Sequence, residues 1–358
     1  MNLRCTKCKV FMEEFEGGVQ CPICGKKYFM KDGILTIGKP QYYYSEYSSG
    51  RDKQKSIVEK ISSQTNIKGL IKVISKEYPE IREYIFSPKR CDFLYLLPDF
   101  IEGDKTLFLD VGCGFGNALM FKKDDAKFLY GMEPTYERIY FLKKWLELED
   151  VDNILPIMGE AKEIPFYGDI DIVLLNGVLE WIGYFENMDK PEEVVESQLE
   201  VLRSCYSSLK EDGVLVIAIE NRYSPLFLYQ PDHGGTYFTS FLPRNIANFI
   251  TKLLHKRPYN TYTYSYWGYK KMLKDVGFRD VRVYGCYPIY RRPKIVYTLE
   301  NDIFNKIPPH LIESASVRER AYLKFIFQSL SLSRLLSTSY IIFAFKKNIR
   351  LVGDLLFY

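Results

Sequence analysis

The sequence lacks long apolar runs and a strong charge of either sign. No apolar run reaches the roughly 18 residues that a membrane-spanning helix needs, and an apolar signal region is absent from the amino terminus. Basic residues exceed acidic residues by only 49 to 45, so the charge does not demand a nucleic-acid partner. The composition, 47% hydrophobic and 26% charged, is that of a globular protein. We therefore expect a soluble, cytoplasmic protein with no membrane span.

Histidine is also scarce, with three residues in 358. His233 lies in the turn-like sequence PDHGGT, inside a segment rich in Tyr, Phe and Pro. An imidazole can accept a proton near neutral pH, and functional side chains are common on loops. His233 is therefore a candidate general base, and the alternative is a loop hydrogen-bonding residue next to Asp232.

Eight cysteines divide into four scattered residues and four in a regular pattern. The pattern is C-x2-C-x12-C-x2-C, formed by Cys5, Cys8, Cys21 and Cys24. Paired C-x2-C units are typical of zinc sites, because each turn points two thiolates at one tetrahedral ion. A redox pair or a disulfide fits a reducing compartment less well. Four thiolates leave no open coordination position, so we predict structural Zn²⁺.

Three glycines at alternate positions follow a short apolar strand. Leu107–Leu109 runs into Asp110, and Gly112, Gly114 and Gly116 come next. This pattern predicts a buried strand, a tight turn and a helix start. Glycines let the backbone turn sharply and let a ligand approach without Cβ atoms in the way.

The acid ahead of the glycines argues against a phosphate ligand on this turn. A carboxylate and a phosphate about 5 Å apart repel by roughly 3 kcal/mol at an effective dielectric constant near 20. S-adenosylmethionine (SAM) contains no phosphate and carries a positive amino group and a sulfonium. Asp110 therefore suits SAM better than a dinucleotide.

A second acid, Glu133, ends the next apolar strand, 128–133, where it could accept both hydroxyls of a ribose. The strand, the DVGCGFG turn and Glu133 resemble the first two motifs of class I SAM-dependent methyltransferases, and further matches continue to about Lys346. The resemblance implies methyl transfer from SAM. The donor site that it implies contains Asp110, Gly112, Cys113, Gly114, Gly116, Asn117, Glu133, Pro134, Glu160, Ala161, Asn176 and Gly177.

Within this implied site, Glu160 and Ala161 lie where the family contacts the adenine edge. A solvated helix-cap glutamate is the alternative for Glu160. The resemblance places Asn176 and Gly177 against the methionine part of SAM. Glu180 follows one helical turn later and could face the acceptor as a base, although a core or capping role is equally compatible with its position.

Predicted strands and helices alternate after Glu133, as in a mainly parallel, doubly wound α/β sheet. The resemblance implies the seven-stranded, Rossmann-like methyltransferase sheet. The later predicted strands are 153–158, 171–175, 214–221, the GFRDVRVYGCYP segment and 339–346, and the predicted helices are 134–148, 191–209, 267–276 and a stretch at 318–332.

The predicted organisation has three parts. It comprises a zinc ribbon at 1–38, a helical linker or cap at 39–100, and a methyltransferase domain at 101–348 with insertions at about 222–266 and 291–338. The ribbon segment is similar to the small zinc ribbons that precede some bacterial methyltransferases. Tyrosines cluster at 42–47 and 259–269, which indicates aromatic surfaces or aromatic packing.

Three interpretations of the function remain open. The ENR, PDHGG and YSYWGYKKMLKDVGF segments look similar to methyltransferases found with glycan and secondary-metabolite enzymes, which implies a small-molecule or glycan acceptor. RNA is the second interpretation, with the ribbon and lysines such as Lys26 and Lys27 as its clamp. A non-catalytic SAM-fold protein is the third. Amine methyltransferases that act on base amino groups often carry an Asn/Asp-Pro-Pro-aromatic motif after the fourth strand. Its absence here disfavours methylation of base amino groups but leaves other RNA positions open. No feature of the sequence predicts an oligomeric state.

Overall fold

The computed structural model describes residues 3–37, 51–79, 82–97, 103–185, 188–300 and 316–349. The chain divides into two compact units. Unit 1 comprises Met1–Cys91, Leu97–Asn176 and Arg203–Val214, and unit 2 comprises Asp92–Leu96, Gly177–Leu202 and Leu215–Tyr358. The predicted domain boundaries at residues 38 and 100 stay a prediction.

Unit 1 begins with four short strands, which are β1 (Glu13–Phe15), β2 (Gly18–Gln20), β3 (Lys27–Lys31) and β4 (Ile34–Thr36). They pair successively in antiparallel fashion. Strand β4 then pairs in parallel with β7 (Ile154–Met158), where Leu35 lies opposite Ile157. The segment predicted as a zinc ribbon therefore belongs to the same sheet as the central strands of unit 1.

The central strands of unit 1 are β5 (Gly103–Val111), β6 (Ala126–Glu133), β7 and β8 (Ile170–Asn176). The pairs β5–β6, β5–β8 and β6–β7 are parallel. The strand order in unit 1 is β1-β2-β3-β4-β7-β6-β5-β8-β9, where β9 is Leu209–Glu220 and only its first half belongs to this unit. Near-continuous apolar runs such as IDIVLLN suit strands of this kind, because parallel strands are usually covered on both faces. The predicted α/β class is confirmed.

Helices pack beside these strands. They are α1 (Arg51–Ser62), α2 (Ile67–Glu77), α3 (Arg82–Phe86), α4 (Asn117–Lys122) and α5 (Tyr136–Glu149), with a 3-10 helix at Pro88–Leu96. The Asn66 side chain caps α2 by accepting a hydrogen bond from the Gly69 N–H. Ile57, Ile61, Leu70 and Ile74 of α1 and α2 join Phe141 of α5 in one buried cluster. Each such side chain contributes about 1.5–3 kcal/mol when it is fully buried.

Unit 2 contains the second half of β9 and the strands β10 (Asp280–Tyr287), β11 (Ile295–Thr298) and β12 (Ser339–Phe345), in the order β9-β12-β10-β11. Strand β10 is antiparallel to both β12 and β11. The helices are α6 (Ile182–Phe185), α7 (Pro191–Ser208, whose last turns belong to unit 1), α8 (Arg244–His255), α9 (Tyr266–Val276), α10 (Val317–Ile326) and α11 (Leu330–Leu336). Short 3-10 helices occupy Leu179–Trp181, Pro225–Leu228 and Thr239–Phe241.

Two predictions about these elements are wrong. The described residues form twelve strands rather than seven, because the four ribbon strands extend the sheet and β11 lies inside the predicted insertion at 291–338. The helix predicted at 318–332 is two helices, because Ser329 begins a new one by accepting a hydrogen bond from the Leu332 N–H. Residues 301–315 of that insertion, and the tyrosine cluster at 42–47, lie outside the described residues. Among the helices described, none is long and apolar enough to cross a membrane.

Candidate functional site

The predicted glycine turn joins β5 to α4. Gly112, Gly114 and Gly116 have φ angles of +73°, +55° and +87°, a region that L-residues with side chains rarely adopt. At Gly116 a Cβ would also lie 2.4 Å from Leu142 Cδ1, whereas a Cβ at Gly114 would meet nothing within 4 Å. The turn therefore needs glycine for its backbone angles, and at Gly116 it needs glycine for space as well.

Glu133 closes this turn from the end of β6. Its Oε2 accepts a hydrogen bond from the Gly114 N–H at 3.0 Å, and its Oε1 accepts one from the Thr135 N–H at 3.0 Å. An ionised carboxylate has about four acceptor sites, so one carboxylate can accept hydrogen bonds from the backbone and from ligand hydroxyls. Glu133 is thus both a structural support of the turn and a group that can bind a diol.

Asp110 is buried at the end of β5, and its Oδ1 has no hydrogen-bond partner in the described part of the chain. Burial raises the pKa of Asp110 to about 7, with Arg90 opposing the shift and the charge of Glu133 adding to it. A buried carboxylate without partners is costly unless a cation or a donor compensates it. Asp110 therefore fits a positively charged group bound at the glycine turn.

The strand register brings other residues that were predicted to bind SAM to the same edge of unit 1. Asp110 lies opposite Leu174, so Asn176 follows at the carboxyl end of β8, and its buried Oδ1 lacks a partner among described residues. Glu133 lies opposite Met158, so Glu160 and the half-buried Ala161 follow β7. Carboxyl ends of parallel strands are the usual ligand edge of such sheets.

Three further predicted residues have defined local environments. Burial raises the pKa of the Cys113 thiol well above its ordinary value. Asn117 donates hydrogen bonds from Nδ2 to the carbonyls of Ile85 and Ser87, at 2.9 and 3.0 Å, which ties the end of α3 to the start of α4. Pro134 is half-buried next to Glu133. For Asn117 the contacts are those of a tether between segments.

A second group of polar side chains lies in unit 2. Glu180, Glu220 and His233 each present a ligand-type atom within 4.8 Å of the others. His233 Nε2 lies 3.2 Å from Glu220 Oε2, and Arg291 Nη2 lies 3.1 Å from Glu220 Oε1. The ring of Trp181 contacts the His233 ring edge-on with centroids 4.8 Å apart. We call Glu180, Glu220, His233 and Arg291 the acidic-histidine cluster.

The charges in this cluster are strongly coupled. Burial, and then the charge of Glu220, raises the pKa of Glu180 to about 8, and neither of its carboxylate oxygens has a partner in the described residues. Burial would also raise the pKa of Glu220, but the cations His233 and Arg291 outweigh it, and that pKa is lowered. Burial disfavours protonated His233, yet Glu220 outweighs burial and the pKa of His233 is raised. Burial therefore favours the neutral form of Glu180, whereas His233 and Arg291 favour the ionised form of Glu220.

The neighbouring loop is fixed by Asp232 rather than by His233. Asp232 Oδ1 accepts the Gly234 N–H at 2.8 Å, and its Oδ2 accepts the Thr239 hydroxyl at 2.5 Å. The loop hydrogen-bonding role that was the alternative for His233 therefore belongs to its neighbour. Gly177, also in unit 2, has φ +70° and would bring a Cβ to 2.3 Å from Tyr290 Oη.

Sequence reasoning missed Glu220 and Arg291. Glu220 ends a buried strand in the ENR segment, a position at which an acid is unusual enough to be a signal. Arg291 lies in the sequence YRRPK with no distinguishing pattern. Its place beside Glu220 depends on the path of the chain after β10.

The four amino-terminal cysteines converge in unit 1. Their Sγ atoms all lie within 4.8 Å of one another, and Cys5 Sγ is 3.6 Å from Cys24 Sγ. The Cys8 N–H points at Cys5 Sγ and the Cys24 N–H at Cys21 Sγ, at 3.4 and 3.5 Å. Such N–H donors stabilise thiolates, and four sulfurs at this spacing fit a tetrahedral Zn²⁺.

Comparison with known proteins gives one family match. Residues 109–217 match the family described as "Methyltransferase domain". No curated protein sequence matches the chain. Solved structures with a similar arrangement include a SAM-dependent methyltransferase from Archaeoglobus fulgidus, at 20% identity and a TM-score of 0.41, covering 75% of this chain and 99% of that one.

Two other similar structures are also described as methyltransferases. A SAM-dependent methyltransferase from Thermotoga maritima has 15% identity and a TM-score of 0.42, covering 78% of this chain and 98% of that one. Phosphoethanolamine N-methyltransferase 2 from Haemonchus contortus, bound to phosphomonomethylethanolamine and S-adenosylhomocysteine, has 13% identity and a TM-score of 0.39. That match covers 68% of this chain and 49% of the Haemonchus enzyme, so the chain spans about half of its length.

These structural similarities are too weak to carry an argument about activity, which depends on the family match. The matched segment includes Asp110, the glycine turn, Glu133 and Glu180. Residues 109–217 of the chain thus match a methyltransferase domain.

Proposed function

We propose that the protein transfers a methyl group from SAM to an oxygen or nitrogen of a small-molecule acceptor, including glycan and secondary-metabolite acceptors. The observation that carries the proposal is the buried, unpartnered Asp110 oxygen at the glycine turn, within the matched methyltransferase segment. A carboxylate in this position is matched by the cationic methionine end of SAM.

The donor-binding roles follow from the groups at the ligand edge of unit 1. Asp110 and Asn176 would accept hydrogen bonds from the amino group of SAM, since each has a buried oxygen without a partner in the described chain. Glu133 would accept the ribose hydroxyls from its place beside the glycine turn, where it accepts the Gly114 and Thr135 N–H groups. Glu160 and Ala161 would border the adenine edge, and Gly177 would contribute backbone to the methionine part. SAM, when bound, supplies an electrophilic methyl group on a sulfonium, so that the leaving group is neutral.

The acidic-histidine cluster supplies acid–base chemistry for the acceptor. Glu220 Oε2 lies 3.2 Å from His233 Nε2, where its charge would stabilise the imidazolium that forms when neutral His233 accepts a proton. His233 would take the proton of an acceptor hydroxyl or amine as the acceptor oxygen or nitrogen forms its bond to the methyl carbon and the carbon–sulfur bond breaks. Neutral Glu180 would donate a hydrogen bond to a second polar atom of the acceptor.

A catalytic metal ion is a weaker interpretation of the same cluster. Glu220 already has Arg291 beside one carboxylate oxygen and His233 beside the other. A divalent cation would have to displace Arg291 and His233 from the Glu220 carboxylate. We therefore assign the cluster to proton transfer and place the structural Zn²⁺ on Cys5, Cys8, Cys21 and Cys24.

The contacts of the ribbon lysines weigh against the RNA alternative. Lys26 Nζ donates to Thr6 Oγ1 at 2.8 Å and lies 3.4 Å from the carboxylate of Glu163. Lys27 lies over the ring of Phe15 at 5.0 Å. Lys26 is therefore already engaged within the protein, which favours a small acceptor over a phosphate backbone.

Transfer of a labelled methyl group from SAM into metabolite, glycan, lipid and RNA fractions tests the proposal. Two variants should be impaired in different steps, one in turnover and one in SAM binding. We expect His233→Asn to lower turnover by about 10²- to 10⁴-fold while SAM affinity stays within about twofold. We expect Asp110→Asn to weaken SAM binding by about 10- to 100-fold, because one charge-assisted hydrogen bond is lost. Calorimetry measures the affinity, and its retention in His233→Asn shows that this variant is folded.

Unchanged turnover of His233→Asn would remove His233 as the base. Salt-sensitive labelling confined to RNA would overturn the small-acceptor assignment. Absence of SAM binding in the wild-type protein would overturn the proposed activity as a whole.

A further inference from the structure

A cavity of about 550 Å³ lies in unit 1. Strands β3 and β4, helix α1, the start of α5 and the end of β7 enclose it, and its apolar walls include Phe29, Ile34, Tyr136 and Met158. Its volume is within the roughly 300–1,000 Å³ of small-molecule sites. None of the residues assigned above to SAM lines it.

Gln54 gives this cavity its polar character. The side chain lies on the cavity wall and is 97% buried, with 3% of the residue exposed. Neither Nε2 nor Oε1 has a hydrogen-bond partner within the described residues. A buried carboxamide that leaves both groups unsatisfied costs about 1–3 kcal/mol for each of them. Because polar atoms in native proteins are rarely left in this state, Gln54 points to a ligand.

The chemistry of Gln54 defines the ligand. A carboxamide presents one donor and one acceptor side by side in a plane, and this pattern complements the edge of a nucleobase, as when glutamine binds adenine through N6 and N7. Phe29 and Tyr136 supply aromatic surface against which a flat ring can pack. We propose that this cavity binds a nucleoside-type ligand, whose planar heterocycle pairs with Gln54.

The charged residues at the cavity are compatible both with a nucleoside and with a nucleotide that carries a phosphate. Lys31, Lys55 and Glu59 are exposed lining residues, so one positive charge is in excess. Because exposed lysines contribute little affinity by themselves, binding should depend on the base. The site is therefore expected to take free nucleosides as well as nucleotides.

Calorimetry with adenosine, guanosine, cytidine and uridine tests the inference, with and without saturating S-adenosylhomocysteine. We expect at least one nucleoside to bind the loaded protein at one equivalent, because the donor site is then filled. Gln54→Leu should weaken this binding at least tenfold while the affinity for S-adenosylhomocysteine stays unchanged. The control is Lys53→Ala, an exposed position on α1 that does not line the cavity and should bind like the wild type.

Unfolding temperature without nucleoside gives an independent readout. Gln54→Leu should be at least as stable as the wild type, because it replaces two unsatisfied polar atoms with an apolar side chain of similar size. Binding of no nucleoside, or equal binding by Gln54→Leu, would overturn the inference. A parallel loss of S-adenosylhomocysteine affinity in Gln54→Leu would also overturn it, because the cavity would then belong to the donor site. The result does not depend on methyl transfer, so the proposed function can fail while this site stands.

Discussion

Gly114 and Gly116 lie two residues apart in the glycine turn but face different surroundings. Both have positive φ, yet only Gly116 is packed against a neighbour, with Leu142 Cδ1 2.4 Å from the place of a Cβ. The spacing of glycines in the sequence predicts the turn and its ligand edge. It does not distinguish the two positions, because that difference depends on α5, which packs on the turn from twenty or more residues later.

This difference gives a prediction at the residue scale. Gly114→Ala should cost about 1–2 kcal/mol of unfolding free energy, from backbone strain alone. Gly116→Ala should cost about 2–5 kcal/mol, since overpacking against Leu142 adds about 1–3 kcal/mol. Urea unfolding measures both. Gly168→Ala, with φ +72° and nothing within 4 Å, is the control outside the turn and should resemble Gly114→Ala. Equal losses at 114 and 116 would contradict the packing argument.

Prediction from sequence succeeds better for single residues with an unusual local pattern than for partners brought together by the fold. Asp110 and Glu133 were identifiable because each follows an apolar strand. His233 was identifiable because histidine is rare in this chain. Arg291 was not, because its contact with Glu220 spans 71 positions and no local pattern encodes it.

At the scale of elements, the ribbon shows how a motif is predictable while its connection is not. The cysteine spacing predicts a compact metal knuckle, and the four sulfurs do converge. The parallel pairing of β4 with β7, through Leu35 and Thr36, is not predictable from ILT, because a short apolar run fits many partners. Four of the five strands beyond the predicted seven arise in this way, because the ribbon extends the sheet rather than standing apart from it.

Metal removal should therefore affect more than the ribbon. We expect about one equivalent of zinc in the wild-type protein and almost none in Cys21→Ser, with a lower unfolding temperature, because β4 shares its ladder with β7. Elemental analysis and thermal unfolding measure the two effects. Cys286→Ser, a buried cysteine in β10, is the control and should keep its zinc. Full zinc loss with an unchanged unfolding temperature would show that the ribbon strands do not stabilise the sheet.

At the scale of the whole molecule, buried acids make stability depend on pH. Glu180, facing Glu220, His233, Arg291 and Tyr269, has its pKa raised from 4.5 to about 8, and Asp110 has its pKa raised from 3.8 to about 7. A raised pKa means that the folded protein binds the proton more tightly than the unfolded chain. Stability from these groups is therefore fully present at low pH and declines as the pH rises through the folded pKa. His233 acts in the same direction, because its pKa is also raised.

Glu180→Gln should reduce this dependence. Between pH 5 and 8 the unfolding free energy of the wild type should fall relative to that of the variant, by about 1.4 kcal/mol for each unit of pKa shift, so by about 1–5 kcal/mol at pH 8. Urea unfolding at pH 5, 6.5 and 8 measures the difference. Glu220 has the opposite shift, and the stability that it contributes should be lost only below about pH 4.5. Parallel curves for wild type and Glu180→Gln across the window would mean that Glu180 is ionised in the folded protein, and a neutral donor could then no longer be assigned to the acceptor side.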